Sequence, residues 1–357
     1  MIYLDHASTS PVNGAYNQGE RSYWMNPHSF YSLDSKNKLS ECENCVRQAL
    51  GVVGGYVIFT FGASHAFNVL KNTQKKKLTI VASPWEHESV YNFADYRYDE
   101  EDKNTINRIF DPANPVLYCQ QGVNPITGEY FNIEGIKNNI LQSYQQMMGV
   151  DITAAVGKTY LPELKVDSAD ALWFSGHKFG ALPGIGCLWI SDKLAKFYPV
   201  TASYLNGHGL VHGTPNVQGI YHMCARLLKV CSEEYIQKAN YNTILLQNTL
   251  IKVLKNNGIE YELYDIANSS SAIQALTLPG INADALCQFL ASKEIYVAPG
   301  KSACAKDKNY RVLQNFDYSK KDAEQTIRIS FNAETTQAYE IIKLVETIKE
   351  FKDTYVL

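Results

Sequence analysis

The chain has little cysteine, eight residues in 357, far below the density of a small disulfide-stapled scaffold. Cys42 and Cys45 are the only close pair, and no second CxxC completes a tetrahedral zinc site, so no structural metal is expected. Charge is sparse as well. Charged residues make up 19% and the formal net charge is −3, so the chain lacks the basic excess that grips nucleic acid or an anionic membrane. No apolar run approaches the ~18 uninterrupted residues of a membrane span. The first ten residues carry Asp5 and His6 and show neither the basic nor the apolar region of a secretory leader. The expectation is a soluble, cytoplasmic protein with reduced thiols.

What is present is material for a core: 45% of the residues are hydrophobic, with no compositional sign of disorder. The length exceeds the usual ~100–200 residues of one domain, which predicts a second. From Tyr56 onward short β-rich runs alternate with helical patterns. Strands are expected over 56–61, 78–82, 115–120, 149–153, 169–175 and 186–191, and helices over 39–50 and 133–148. Such alternation implies βαβ units, an α/β fold and a mainly parallel sheet covered on both faces. From Val217 to Asn256 there is no proline and only Gly219, so one long helix or two consecutive ones should join the domains. A smaller α+β pattern follows, with strands near 259–264, 272–277, 295–297 and 326–331 and helices near 283–292 and 336–351.

Three segments carry chemistry. In Trp173-Phe174-Ser175-Gly176-His177-Lys178 a buried strand runs into a polar turn. A lysine there is placed for partial desolvation, which disfavours the ammonium and frees an amine for Schiff-base chemistry. Asp151 closes an apolar strand and so lies at the carboxyl edge of the same sheet, where open α/β folds bind ligands. An aspartate there can pair with a pyridine nitrogen and keep it protonated. In Thr60-Phe61-Gly62-Ala63-Ser64 a strand passes through a glycine turn into a helix N-terminus, a natural phosphate seat.

These segments stand among others in a fixed order: Tyr3-Leu4-Asp5-His6-Ala7-Ser8-Thr9-Ser10-Pro11, Asn26-Pro27-His28-Ser29, Glu86-His87-Glu88, Val123-Asn124, Gly157-Lys158, Gly213-Thr214-Pro215-Asn216, Ser302-Ala303-Cys304 and Ile327-Arg328-Ile329-Ser330. In order and spacing the set resembles class V, fold type I pyridoxal phosphate enzymes, and within them the cysteine desulfurase branch of the NifS and IscS type. The resemblance runs from residue 3 to about residue 336.

It implies a large cofactor domain, residues 12–250, with a mainly parallel seven-stranded sheet, and a small domain formed by residues 1–11 and 251–357. The implied cofactor is pyridoxal 5′-phosphate, held covalently by Lys178, which also moves the substrate Cα proton. His87 stacks on the pyridine ring and Asp151 pairs with its nitrogen. Ala63, Ser64, Ser175 and His177 bind the phosphate, with Thr214 reaching across from the second subunit of a homodimer. Asn124 contacts cofactor or substrate, and Arg328 holds the substrate carboxylate. Cys304 corresponds to the mobile-loop nucleophile that accepts sulfur from L-cysteine as a persulfide. Lys301 and Lys306 flank it and would lower its pKa. The implied outlet is a sulfur-acceptor or iron–sulfur scaffold protein.

The pattern breaks in places. Ala154 replaces the glutamine usual three positions after the aspartate, Ser64 replaces threonine, and His65 replaces an acidic neighbour. His212 stands where an arginine usually precedes Gly213-Thr214. These changes leave room for a class V aminotransferase, a selenocysteine lyase or another β-lyase in which Cys304 is incidental. A non-catalytic scaffold is a further alternative, against which the joint retention of Lys178, Asp151, His87 and Arg328 argues.

Overall fold

Short runs of β-branched and aromatic residues become buried strands in the computed structural model, which describes residues 1–8, 27–28, 33–99, 102–202, 204–264, 268–301 and 310–355. The chain opens on β1 (Ile2–Tyr3). The main sheet then takes β2 (Tyr56–Thr60), β3 (Thr79–Ala82), β4 (Tyr96–Arg97), β5 (Val116–Gln121), β6 (Gln146–Asp151), β7 (Ala171–Ser175) and β8 (Gly186–Ile190). Its order is β2-β8-β7-β6-β5-β3-β4. Only β8 runs against its neighbours; the other six strands point the same way. Every residue of β5, β6, β7 and β8 is buried, as a sheet covered on both faces requires. The expected α/β class and mainly parallel sheet are therefore observed.

The principal helices are α1 (Leu33–Leu50), α2 (Ala63–Asn72), α3 (Val217–Cys231), α4 (Glu233–Asn256), α5 (Ala283–Ser292) and α6 (Ala338–Tyr355). The long glycine-poor stretch resolves into α3 and α4. Ser232 divides them: its hydroxyl donates to the Lys229 carbonyl at 2.8 Å and accepts from the Tyr235 N–H at 3.3 Å, ending one helix and opening the next. One expectation is corrected. The helix read over 133–148 ends at Ile140, and its last residues enter β6. Met147 and Met148 are both fully buried, and a short apolar run of this kind fits either period.

Two compact units result. The larger comprises Pro11–Gly122 and Phe131–Tyr235; the smaller comprises Met1–Ser10, Val123–Tyr130 and Ile236–Leu357. In the larger unit Phe67 and Leu70 of α2 pack with Ile58, Ile80, Trp173 and Leu188 of the sheet. The smaller unit holds β9 (Glu262–Leu263), β10 (Ile273–Thr277), β11 (Ile295–Tyr296), β12 (Ala298–Pro299) and β13 (Thr326–Ser330). Its antiparallel sheet has the order β12-β13-β10-β9, while β1 pairs in parallel with β11. Leu4 joins Leu250, Leu286, Ile329 and Leu344 in its core. Among the described residues no helix is long and apolar enough to cross a membrane.

Strand direction positions the chemistry of the larger unit. Because β2, β3, β6 and β7 run the same way, the segments following each of them emerge at one edge of the sheet. Those segments are the Gly62 turn, Glu86-His87, Asp151 at the end of β6, and Ser175 to Lys178. This carboxyl edge is where open α/β sheets bind ligands.

Candidate active site

In the larger unit the phosphate seat is built from two strands. The backbone of Gly62 has φ of 148°, in the region L-residues avoid, and a Cβ there would stand 3.0 Å from Ser175 Oγ. Gly62 offers α2 no side-chain cap. The cap comes instead from the end of β7: Ser175 Oγ accepts the Ala63 N–H at 2.7 Å. Ser175 keeps its own hydroxyl hydrogen to donate. Among the described residues the N–H groups of Ser64 and His65 have no acceptor, and no acidic residue occupies the first turn. The helix therefore presents donors and a positive dipole end to an anion. Ser64 is exposed there.

His177 and Lys178 lie in the single turn Gly176–Phe179 that follows β7. Both are half-buried. The turn is tied down by Lys158, a buried residue whose Nζ donates to the Lys178 carbonyl at 3.2 Å. Burial, and then the charges of Lys178 and Lys158, pull the His177 imidazole down to about 4. His177 is therefore neutral at pH 7 and offers a ring N–H. His65 is also held below the ordinary histidine range by burial.

Asp151 is 7% exposed at the end of β6. Desolvation raises its pKa, opposed by the Thr153 N–H, which donates to Oδ1 at 2.8 Å, and by the nearby His87. Among the described residues no lysine or arginine pairs with it. A buried carboxylate in that state calls for a cationic donor. His87 caps the short helix Glu88–Tyr91, its Nδ1 accepting the Ser89 N–H at 3.1 Å, which leaves the ring proton on Nε2 in the neutral form. The residues present thus fit pyridoxal 5′-phosphate: an anion seat at α2, an amine on a pinned turn, and a buried carboxylate wanting a protonated ring nitrogen.

The smaller unit carries the second constellation. Arg328, on β13, is 3% exposed. Its Nη1 donates to the Pro125 carbonyl at 3.1 Å, and its Nη2 to Asp5 Oδ1 and Ser8 Oγ, both at 2.6 Å. Asn124 closes the adjoining turn: its Oδ1 accepts from Ile126 N–H at 2.9 Å and Thr127 N–H at 3.1 Å. The segment bearing Asn124 and the strand bearing Arg328 are therefore joined directly. Asp5, Ser8 and Lys158 had no role assigned from sequence, although each lies in a motif of the resemblance. Their partners are 323, 320 and 20 residues away, a distance that local patterns do not span.

Two expected elements stand apart. Thr214 is exposed, on a loop that lines a groove with Phe61, His65 and Ile220 of its own chain. Cys304 and Lys306 lie outside the described residues. Lys301 is described, and its ammonium is buried against Asp284 at 2.5 Å. Its charge is thus paired with that carboxylate among the described residues. The seven described cysteines are free. Burial raises Cys231 and Cys287 to about 12, so neither offers a thiolate at neutral pH.

Comparison with known proteins agrees with this geometry. The family model for class-V aminotransferases matches residues 2–341, and the chain belongs to that family. A NifS/IcsS protein homolog of Lactobacillus delbrueckii subsp. bulgaricus is 27% identical, covering 94% of this chain and 93% of its own. The cysteine desulfurase IscS of Buchnera aphidicola subsp. Schizaphis graminum is also 27% identical, covering 94% and 89%. Among solved structures, a NifS-like protein from Rickettsia africae superimposes with a TM-score of 0.81 at 21% identity, covering 99% of this chain and 100% of that one. This likeness shows the shared fold.

Proposed function

We propose that the chain is a pyridoxal phosphate-dependent cysteine desulfurase that converts L-cysteine to L-alanine and takes the sulfur onto Cys304. The observation that carries the reading is Asp151, a buried carboxylate that no lysine or arginine pairs with among the described residues, at the sheet edge from which the Lys178 turn also emerges. The curated relatives named cysteine desulfurase support the choice of reaction.

When bound, the cofactor supplies an electron sink conjugated to the substrate amine. Lys178 would hold it covalently and would move the substrate Cα proton. Asp151 would pair with the ring nitrogen and favour its protonated form, and His87, oriented by its Ser89 contact, would lie against the ring. Ser64, Ser175, His177 and the Ala63 turn bind the phosphate, with Thr214 of a second subunit completing a homodimer. Arg328 takes the substrate carboxylate, and Asn124 contacts cofactor or substrate. Cys304 Sγ attacks the substrate sulfur. The new S–S bond forms as the Cβ–S bond breaks, the electron pair stays with the carbon skeleton, and a proton delivered to Cβ completes alanine. The persulfide then passes to an acceptor such as an iron–sulfur scaffold. A reducing compartment, the cytoplasm, suits a reactive thiol of this kind.

The test is to incubate cofactor-loaded protein with L-cysteine and quantify alanine while mapping added sulfur by peptide mass. Alanine with one extra sulfur on Cys304, both lost in Cys304→Ala except for alanine from slow side reaction, is expected. Turnover of a different amino acid with no sulfur added to Cys304 would shift the assignment to an aminotransferase.

A further inference from the structure

Arg328 already holds a carboxylate in this structure. Asp5 Oδ1 accepts from its Nη2 at 2.6 Å, and the side chain of Asp5 is 19% exposed against 3% for Arg328. Asp5 is fixed by its own backbone, which bridges to Ser330 and accepts at its carbonyl from Ser8 N–H and from the Tyr3 hydroxyl, each at 3.0 Å. Ser8 Oγ takes a second Nη2 hydrogen and the Pro125 carbonyl takes one from Nη1. Nε is buried and has no acceptor among the described residues.

A carboxylate binds a guanidinium best through two parallel N–H···O bonds. An incoming one can take the open Nε at once, but it gains the second bond on that edge only at Nη2, where Asp5 and Ser8 already sit. Two carboxylates on one guanidinium repel. We propose that Asp5 is an internal counter-carboxylate of Arg328, displaced at Nη2 by the α-carboxylate of the amino-acid substrate. In the free protein it keeps a buried guanidinium from standing uncompensated. On binding, one carboxylate replaces another and the charge at Arg328 is conserved. An amine without a carboxylate cannot make the exchange, so Asp5 holds Arg328 closed to it. Asp5 is a positioning residue acting through Arg328, and its role rests on the reading of Arg328 as the carboxylate receptor.

The experiment compares cofactor-loaded wild type with Asp5→Asn, Asp5→Ser and Arg328→Gln. It measures KM and kcat for L-cysteine, and by calorimetry the Kd of L-alanine and of ethylamine, its decarboxylated counterpart. Asp5→Asn keeps an oxygen acceptor on Nη2 and removes the competing charge. It should lower KM for L-cysteine and Kd for L-alanine about tenfold, with kcat held within about twofold and ethylamine binding unchanged. Asp5→Ser gives the same readout should the asparagine variant fail to fold. Arg328→Gln should weaken L-alanine at least about tenfold and leave ethylamine alone. If Arg328→Gln leaves L-alanine binding intact, the carboxylate assignment falls. If it weakens L-alanine while the Asp5 variants do not tighten it, Asp5 is structural only and the exchange is refuted.

Discussion

Ser175 performs two tasks that one substitution separates. Its hydroxyl accepts the Ala63 N–H at 2.7 Å, with Ser175 6% and Ala63 9% exposed. Gly62 contributes no side-chain cap, so the start of α2 depends on this oxygen from a different strand. Ser175→Ala leaves a buried N–H without an acceptor, a loss of about 1–3 kcal/mol, while loss of a helix cap costs about 0.5–2 kcal/mol. The two ranges describe the same bond, and their overlap, about 1–2 kcal/mol, is the expected destabilisation of the cofactor-free protein. For a unit of roughly 200 residues each kcal/mol lowers the thermal midpoint by about 2–4 °C. A fall of about 2–8 °C in the apoprotein is therefore expected by calorimetry. The second task is donation of the hydroxyl hydrogen to the phosphate. A hydrogen bond to a charged group is worth about 1.5–3 kcal/mol, so titration with pyridoxal phosphate should show affinity about 10- to 100-fold weaker. An unchanged apoprotein midpoint would refute the capping role. Unchanged cofactor affinity would refute the seat at α2.

Three further outcomes follow from the same geometry. Gly62→Ala puts a side chain at φ of 148° and 3.0 Å from Ser175 Oγ; it should cost about 1–3 kcal/mol in apoprotein stability and weaken cofactor binding, read by the same two assays. His177 is depressed to about 4, first by burial and then by Lys178 and Lys158, whereas an unfolded histidine titrates near 6.5. The unfolded chain thus binds the extra proton first, and the stability that neutral His177 contributes, complete above about pH 6.5, is lost as pH falls toward 4. His177→Ala should flatten that part of the apoprotein's stability–pH curve, and proton NMR of the imidazole should give the value directly. Asp284→Asn leaves the buried Lys301 ammonium, 8% exposed, without its carboxylate. Discounted for the partly exposed aspartate, a loss of about 1–2 kcal/mol is expected in denaturant unfolding of the smaller unit.

Local pattern made most of the larger unit readable. Runs such as Val116–Gln121 and Ala171–Ser175 are apolar because both faces of the sheet are covered, and that burial is what the sequence displays. The glycine turn before α2 was readable because only glycine holds its backbone conformation. The reading failed where one apolar run suited two periods, at Met147 and Met148. It also could not foresee that Ser175 would cap α2, because the oxygen arrives from 112 residues away.

The same division runs through the site. Lys178, Asp151 and Arg328 stand out because each is a chemically loaded residue at the end of, or within, an apolar strand. What each of them does in the free protein depends on a distant partner. Lys301 stands three residues before Cys304 in sequence, and its ammonium pairs with Asp284, seventeen residues away. Arg328 looked like an open receptor, yet the N-terminal strand brings Asp5 onto it from 323 residues away. A buried cation is stable only with its charge compensated, so a receptor of this kind must carry a stand-in until its ligand comes. The composition of a strand can therefore reveal which anion a site is built for, whereas the affinity for that anion is set by the stand-in it has to displace.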